Sequence, residues 1–125
     1  MQAGMAILPA IGVLGTTVVI GLYMGWRHLK GLRNDRVLIG FHLLLGVAGL
    51  EVTAILVRGH FTGGVAPPGS PGRYAAVLFA IAMFSGLIVP LLAPRWPRGI
   101  TPMLWGHAVI GMAGFVALIA WGVGG

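Results

Sequence analysis

This chain contains four long apolar segments, and the short stretches between them hold most of the charged residues. The segments cover approximately residues 4–26, 37–58, 74–92 and 101–122. A helix of about 20 residues, rising 1.5 Å per residue, crosses a hydrocarbon core of roughly 30 Å. Extended segments would leave backbone groups unpaired in lipid, so the pattern predicts four transmembrane α-helices joined by short loops. We therefore expect residues 1–125 to form a single transmembrane domain.

The amino-acid composition excludes several classes of protein and of cofactor. The chain is 58% hydrophobic and 8% charged, with a mean hydropathy of +0.97, whereas a soluble domain carries about 25% charged residues. Because four spans take up most of residues 1–125, we expect no separate soluble catalytic domain within them. The absence of cysteine excludes iron–sulfur clusters held by this chain, thiol catalysis and covalent c-type haem attachment. No basic region precedes the first apolar segment, so we expect that segment to be retained.

The net charge is +6, and the positions of the basic residues indicate the membrane topology. Basic residues spread around four apolar segments do not form a groove for nucleic acid, and we expect no nucleic-acid partner. Lys and Arg concentrate on the cytoplasmic side of membrane proteins. This rule predicts that the first and third loops lie in the cytoplasm and both termini on the other side of the membrane. We expect that membrane to be a bacterial inner membrane or a thylakoid. The first and third loops hold Arg27, Lys30, Arg33, Arg36, Arg95 and Arg98, against Arg58 and Arg73 around the second loop.

A short motif occurs twice, 65 residues apart. Residues 42–50 and 107–115 share the pattern H-x-x-x-G-x-A-G followed by a large apolar residue. The same shift pairs Gly21 with Gly86, and the glycine- and proline-rich loop 59–73 separates the two halves. The chain is therefore expected to contain two helical hairpins in the same orientation, related by an axis along the membrane normal.

The histidine of each motif is the candidate ligand. An imidazole in hydrocarbon is costly unless it is satisfied, so two in matched context require an explanation. His42 and His107 each lie about six residues inside the cytoplasmic end of a span, at a matching depth of roughly 9 Å. Neutral imidazole is a suitable axial ligand for haem iron. We expect one b-type haem between helices 2 and 4, exchanging single electrons. This favours a non-catalytic electron-transfer subunit over a stand-alone enzyme, without deciding between them.

Glycines follow each histidine on its own helix face, at the fourth and seventh positions. These are Gly46 and Gly49 in span 2 and Gly111 and Gly114 in span 4. A face without side chains beside a ligand could form a slot for a flat macrocycle, although such glycines also occur where membrane helices simply pack closely. Two alternatives therefore stay open: a (bacterio)chlorophyll-type pigment on each histidine, or a cofactor-free accessory subunit. Zinc needs more ligands than two histidines.

Glu51 is the acidic residue within a span. It follows His42 by nine positions, which rotates it to the opposite face of the helix. An intramembrane carboxyl group could relay a proton to a quinone or contact a partner subunit. The alternative is a protonated side chain hydrogen-bonded to Thr16 or Thr17.

Two further histidines lie at the ends of spans. His28 is among basic residues at the cytoplasmic surface, and His60 follows Arg58 at the outer surface. Either could be an extra ligand or a proton relay beside a quinone, but interfacial histidines are usually neither.

Four helices with histidines on the second and fourth resemble small transmembrane b-type cytochromes. These include the ascorbate-reducible cytochrome b family and short bacterial and cyanobacterial membrane proteins. The resemblance covers the whole chain in hydrophobic layout and is specific only around His42 and His107. It implies electron transfer through a bis-histidine haem, between a quinone or other donor and a partner. Separately, we expect the chain to associate with other membrane subunits or to form a homo-oligomer. The chain has fewer helices than the ascorbate-reducible family and one good ligand pair, so a second haem is not implied.

Overall fold

A computed structural model describes residues 2–124, with side chains from residue 4 onward. Within that range the chain is helical, without β-strands, and a 3₁₀ turn at Pro97–Gly99 precedes the last helix. Consecutive helices run antiparallel and pack side by side. The helices are α1 (Gln2–Leu29), α2 (Arg36–Val57), α3 (Pro71–Leu92) and α4 (Ile100–Gly124).

All four helices are long and apolar enough to span a membrane, with mean hydropathies of 1.9 to 2.5 over their most apolar windows. Large apolar side chains such as Leu44, Leu91 and Val116 are well exposed on the outside of the bundle. Such a surface suits contact with lipid rather than water. The predicted all-α, four-helix membrane architecture is thus confirmed.

The helix boundaries have local causes. Asp35 caps α2 by accepting a hydrogen bond from the Val37 amide at 2.7 Å. Ser70 similarly accepts from the Arg73 amide, and Pro71 occupies the first turn, where its missing N–H costs nothing. This cap starts α3 three residues before Tyr74, the predicted first residue of the span. The other predicted limits agree with the structure within a few residues.

The four helices form a closed ring. α1 and α3 each pack against both α2 and α4, so α2 and α4 lie on opposite corners of the bundle. The connections 30–35 and 93–99 share one end with Arg27, Arg36 and Arg98. We call this the basic end, and the opposite end, with loop 58–70, the far end.

The apolar core is concentrated toward the far end. Its fully buried side chains include Ile7 on α1, Leu56 on α2 and Leu118 on α4. Phe79 on α3 joins the same cluster. The two motif histidines lie nearer the basic end, whereas the last residues of the motifs, Leu50 and Phe115, pack against this core.

Candidate cofactor-binding site

His42 and His107 face each other across the diagonal of the bundle. Their ring centroids are 6.0 Å apart and the ring planes are inclined by 71°. Both side chains are half-buried. Each lies about two turns from the start of its helix, near the basic end. The structure thus brings together the two residues that the repeated motif singles out, at the matching depth that was expected.

A main-chain carbonyl orients each imidazole. His42 Nδ1 lies 3.0 Å from the carbonyl oxygen of Thr17, and His107 Nδ1 lies 2.8 Å from that of Ala82. A carbonyl oxygen only accepts, so each Nδ1 carries the hydrogen and donates it. In the neutral ring this leaves the Nε2 lone pair available to a metal, the arrangement that commonly accompanies metal-bound histidine.

The sequence repeat continues in these contacts. Thr17 and Ala82 are themselves 65 residues apart, like the histidines they bind. A Cβ atom added at Gly21 would lie 2.8 Å from His42 Cε1, and one added at Gly86 would lie 2.8 Å from His107 Cε1. The two hairpins therefore hold their histidines in the same way, as the predicted parallel repeat requires. The 65-residue shift already paired these two glycines, but their role against the histidine rings is visible only in the structure.

Two glycines of the motif are helix-packing positions. Leu14 of α1 lies directly over Gly49, where an added Cβ would overlap it. Phe79 of α3 covers Gly114, and a Cβ there would lie 3.0 Å from its ring. Leu14 and Phe79 are also related by the 65-residue shift. In this packing, neighbouring side chains fill the predicted slot at Gly49 and Gly114.

The other two glycines, Gly46 and Gly111, have more space. A Cβ at Gly46 would be 3.7 Å from Thr17 Cγ2, and one at Gly111 would be 3.9 Å from Ala82 Cβ. These ordinary contacts place both glycines beside the residues that orient the histidines. Space for a macrocycle beside the histidines is therefore greater at Gly46 and Gly111 than at Gly49 and Gly114.

Several residues that border the histidine pair have small side chains or none. Thr17 and Ala82 are buried there, and Gly21 and Gly86 border the rings. The largest fully buried apolar side chains, Ile7 and Leu118, lie toward the far end instead. The four residues that contact or orient the imidazoles thus carry no large apolar side chain.

One side-chain hydroxyl breaks the symmetry. Ser85 Oγ lies 3.1 Å from His107 Nδ1 and donates a hydrogen bond to the Ala82 carbonyl at 2.9 Å. The 65-residue shift relates Ser85 to Ile20, which has no hydroxyl. Sequence reasoning missed Ser85, because a serine in an apolar helix does not by itself point to a ligand.

The remaining histidines are not part of this pair. His28 Nε2 lies 3.0 Å from Thr101 Oγ1, a contact that links the last turn of α1 to the first turn of α4. His60 is exposed in the loop at the far end. Across residues 2–124, no three His, Asp or Glu side chains lie close enough together to hold a metal ion. A metal carried within a macrocycle needs only axial ligands from the protein, which the histidine pair could supply.

Glu51 lies on the outer face of α2 and is exposed, away from the histidines, as its spacing predicted. Among the described residues, no hydrogen bond joins Glu51 to Thr16 or Thr17. Their hydroxyls donate to the carbonyls of Gly12 and Val13 in their own helix, at 2.8 and 2.9 Å. Glu51 thus lies on the outer surface of the bundle.

A shallow groove of about 390 Å³ lies at the basic end, between the end of α1 and the start of α2. Tyr23 and Phe41 line it, and the Arg27 guanidinium lies 5.8 Å from the centre of the Tyr23 ring. Phe41 immediately precedes His42 in α2. The groove therefore includes the residue that precedes His42 in α2.

Comparison of the chain with protein-family models, with curated proteins and with solved structures finds no match.

Proposed function

We propose that the chain is a membrane electron-transfer protein that binds one b-type haem between α2 and α4, with His42 and His107 as axial ligands. The observation that carries the proposal is the pair of imidazoles on diagonal helices, with centroids 6.0 Å apart. Metal–imidazole bonds of about 2.0 Å on both sides of one metal would separate two ring centroids by roughly 6 Å. The observed spacing therefore suits a single shared metal.

The same distance argues against a separate pigment on each histidine. Two macrocycles stacked at about 3.5 Å, each with its own axial imidazole, would need ring centroids roughly 10 Å apart. The histidines are considerably closer than that. One shared ring is the better fit, and a chlorophyll-type pigment becomes an outcome to be tested by its absorption.

The donor set also fits haem. The hydrogen bonds from Nδ1 to the Thr17 and Ala82 carbonyls select the tautomer that leaves Nε2 free, and they limit rotation of the rings. When bound, haem would supply one-electron oxidation and reduction. The protein would hold its two ligands in place and exclude water from the layer around them.

We further propose that the basic end faces the cytoplasm, according to the distribution of Lys and Arg. His42 lies about 9 Å along α2 from that end. A single centre at this depth suits electron exchange with partners on the same side rather than transfer across the whole membrane. The groove beside Phe41, with the Arg27 guanidinium at its wall, is where a quinone or a partner subunit would approach.

The test is the visible spectrum of the protein purified in mild detergent, oxidised and then reduced with dithionite. We expect a sharp reduced α-band with a Soret shift, lost in His42→Ala and in His107→Ala. His60→Ala is the matched control, because this exposed histidine lies in a loop at the far end and its loss should leave the spectrum unchanged.

Long-wavelength absorption would replace the haem proposal by a chlorophyll-type pigment. A blank spectrum from protein expressed with ample haem and purified gently would overturn the proposal and favour a cofactor-free subunit. A haem signal that persists in both single alanine variants would show that the ligands lie elsewhere.

A further inference from the structure

Ser85 makes the surroundings of the two histidines unequal. On the His42 side, the Thr17 carbonyl oxygen is the acceptor for Nδ1, at 3.0 Å. On the His107 side, Nδ1 has the Ala82 carbonyl at 2.8 Å and the Ser85 hydroxyl oxygen at 3.1 Å.

The direction of these hydrogen bonds follows from the atoms involved. The Ala82 carbonyl accepts from Ser85 Oγ–H at 2.9 Å, which uses the hydroxyl hydrogen. The lone pairs of Ser85 Oγ are then free to share the hydrogen that His107 Nδ1 donates. Nδ1–H of His107 is therefore held between two oxygen acceptors.

Acceptors at Nδ1–H increase the basicity of the other ring nitrogen. A more basic axial ligand favours the more highly charged ferric iron over ferrous iron. The two acceptors also restrict rotation of the His107 ring more than one acceptor would. The second hairpin thus presents a stronger and better oriented ligand than the first, although their backbones match.

We propose that Ser85 is a positioning residue that lowers the reduction potential of the haem through His107. This inference rests on the proposed function, because it concerns the ligand strength of a histidine assigned to haem. It adds a residue that the repeated motif does not contain, and it assigns distinct roles to two histidines that the sequence presents as equivalent.

The experiment compares wild type, Ser85→Ala and Ser85→Thr, each with haem bound, by redox titration of the α-band. Removing the hydrogen-bond partner of a metal-bound histidine typically lowers metal affinity 10- to 100-fold. We expect Ser85→Ala to weaken ferric haem binding about tenfold relative to ferrous. For a one-electron couple this raises the potential by about 59 mV. Ser85→Thr retains the hydroxyl and should stay close to wild type.

A gain-of-function variant tests the same reasoning on the other hairpin. Ile20→Ser places a hydroxyl three residues after Thr17, as Ser85 follows Ala82. It should lower the potential, opposite to Ser85→Ala. Unfolding temperatures measured in parallel would show whether a variant has lost its fold. Loss of the fold in Ser85→Ala alone would not account for opposite potential shifts in Ser85→Ala and Ile20→Ser.

The outcomes separate this inference from the proposed function. Wild-type protein without haem would overturn both. A haem-bound Ser85→Ala variant whose potential equals that of wild type would overturn the role of Ser85 alone. A shift of equal size and sign in Ser85→Ala and Ser85→Thr would do the same, because the hydroxyl would then not be its cause.

Discussion

Replacing Gly21 or Gly86 by alanine should displace one histidine while leaving its ligand nitrogen chemically intact. The added Cβ would lie 2.8 Å from Cε1 of His42 or of His107, respectively. Carbon atoms in favourable contact are about 3.5–4.0 Å apart, so the ring would have to move by roughly 1 Å. The His42 Nδ1 to Thr17 oxygen distance is already 3.0 Å. An additional displacement of that size exceeds hydrogen-bond range.

The expected magnitude follows from the cost of overpacking. Forcing an extra carbon into a packed site costs about 1–3 kcal/mol. If this cost reduces the free energy of binding of the proposed haem, the haem affinity falls about 5- to 150-fold. Because the two hairpins repeat the same contact, Gly21→Ala and Gly86→Ala should have similar effects. The assay is haem titration of the purified variants, followed at the Soret band, with the unfolding temperature of each haem-free variant recorded beside it.

Gly25→Ala and Gly106→Ala are the matched controls. A Cβ at either position meets nothing within 4 Å. Alanine favours the helix over glycine by up to about 1 kcal/mol, so these variants should be unchanged or slightly more stable. If Gly21→Ala and Gly86→Ala bind haem as tightly as these controls, the histidines do not lie against the two glycines in the working protein, and the reasoning fails.

Two further predictions concern polar residues outside the histidine pair. His28→Ala should lower the free energy of unfolding by about 1 kcal/mol, because it removes the 3.0 Å contact with Thr101. Thr101→Val should cost a similar amount, and both should keep the haem spectrum. A double variant that loses the sum of the two single effects, measured by chemical denaturation in detergent, would show that the contact contributes nothing. Glu51→Leu should leave stability within about 0.5 kcal/mol and the spectrum unchanged, since the side chain is exposed on the outer face. A loss of haem in purified, monomeric Glu51→Leu protein would contradict that placement, whereas an effect on oligomer size alone would identify a contact with a partner.

The sequence could predict the helices because membrane spans depend on local properties. In lipid, each span satisfies its own backbone hydrogen bonds. The length and apolarity of a segment are therefore nearly sufficient to predict a transmembrane helix. The four helices and their limits follow from this, except where Ser70 and Pro71 start α3 earlier through capping. The 65-residue repeat similarly identified His42 and His107, since matched residues in matched helices of the same direction lie at the same depth.

Contacts between helices required the tertiary structure. The acceptors for the two imidazoles are the main-chain carbonyls of Thr17 and Ala82, and every residue has a carbonyl. No residue type therefore marks them in the sequence. For the same reason the pattern could not show that Leu14 packs over Gly49, because a glycine face suits a macrocycle and a neighbouring helix equally well.

The sequence by itself thus determined the number of spans, the 65-residue repeat and the two histidines, all of which depend on spacing along one chain. The structure decided which corners of the bundle the histidines occupy, their 6.0 Å separation and the contact of Ser85 with one ring but not the other. These depend on how far each helix rotates about its axis when it packs. That rotation is set by the side chains of all four helices together, so no single segment encodes it.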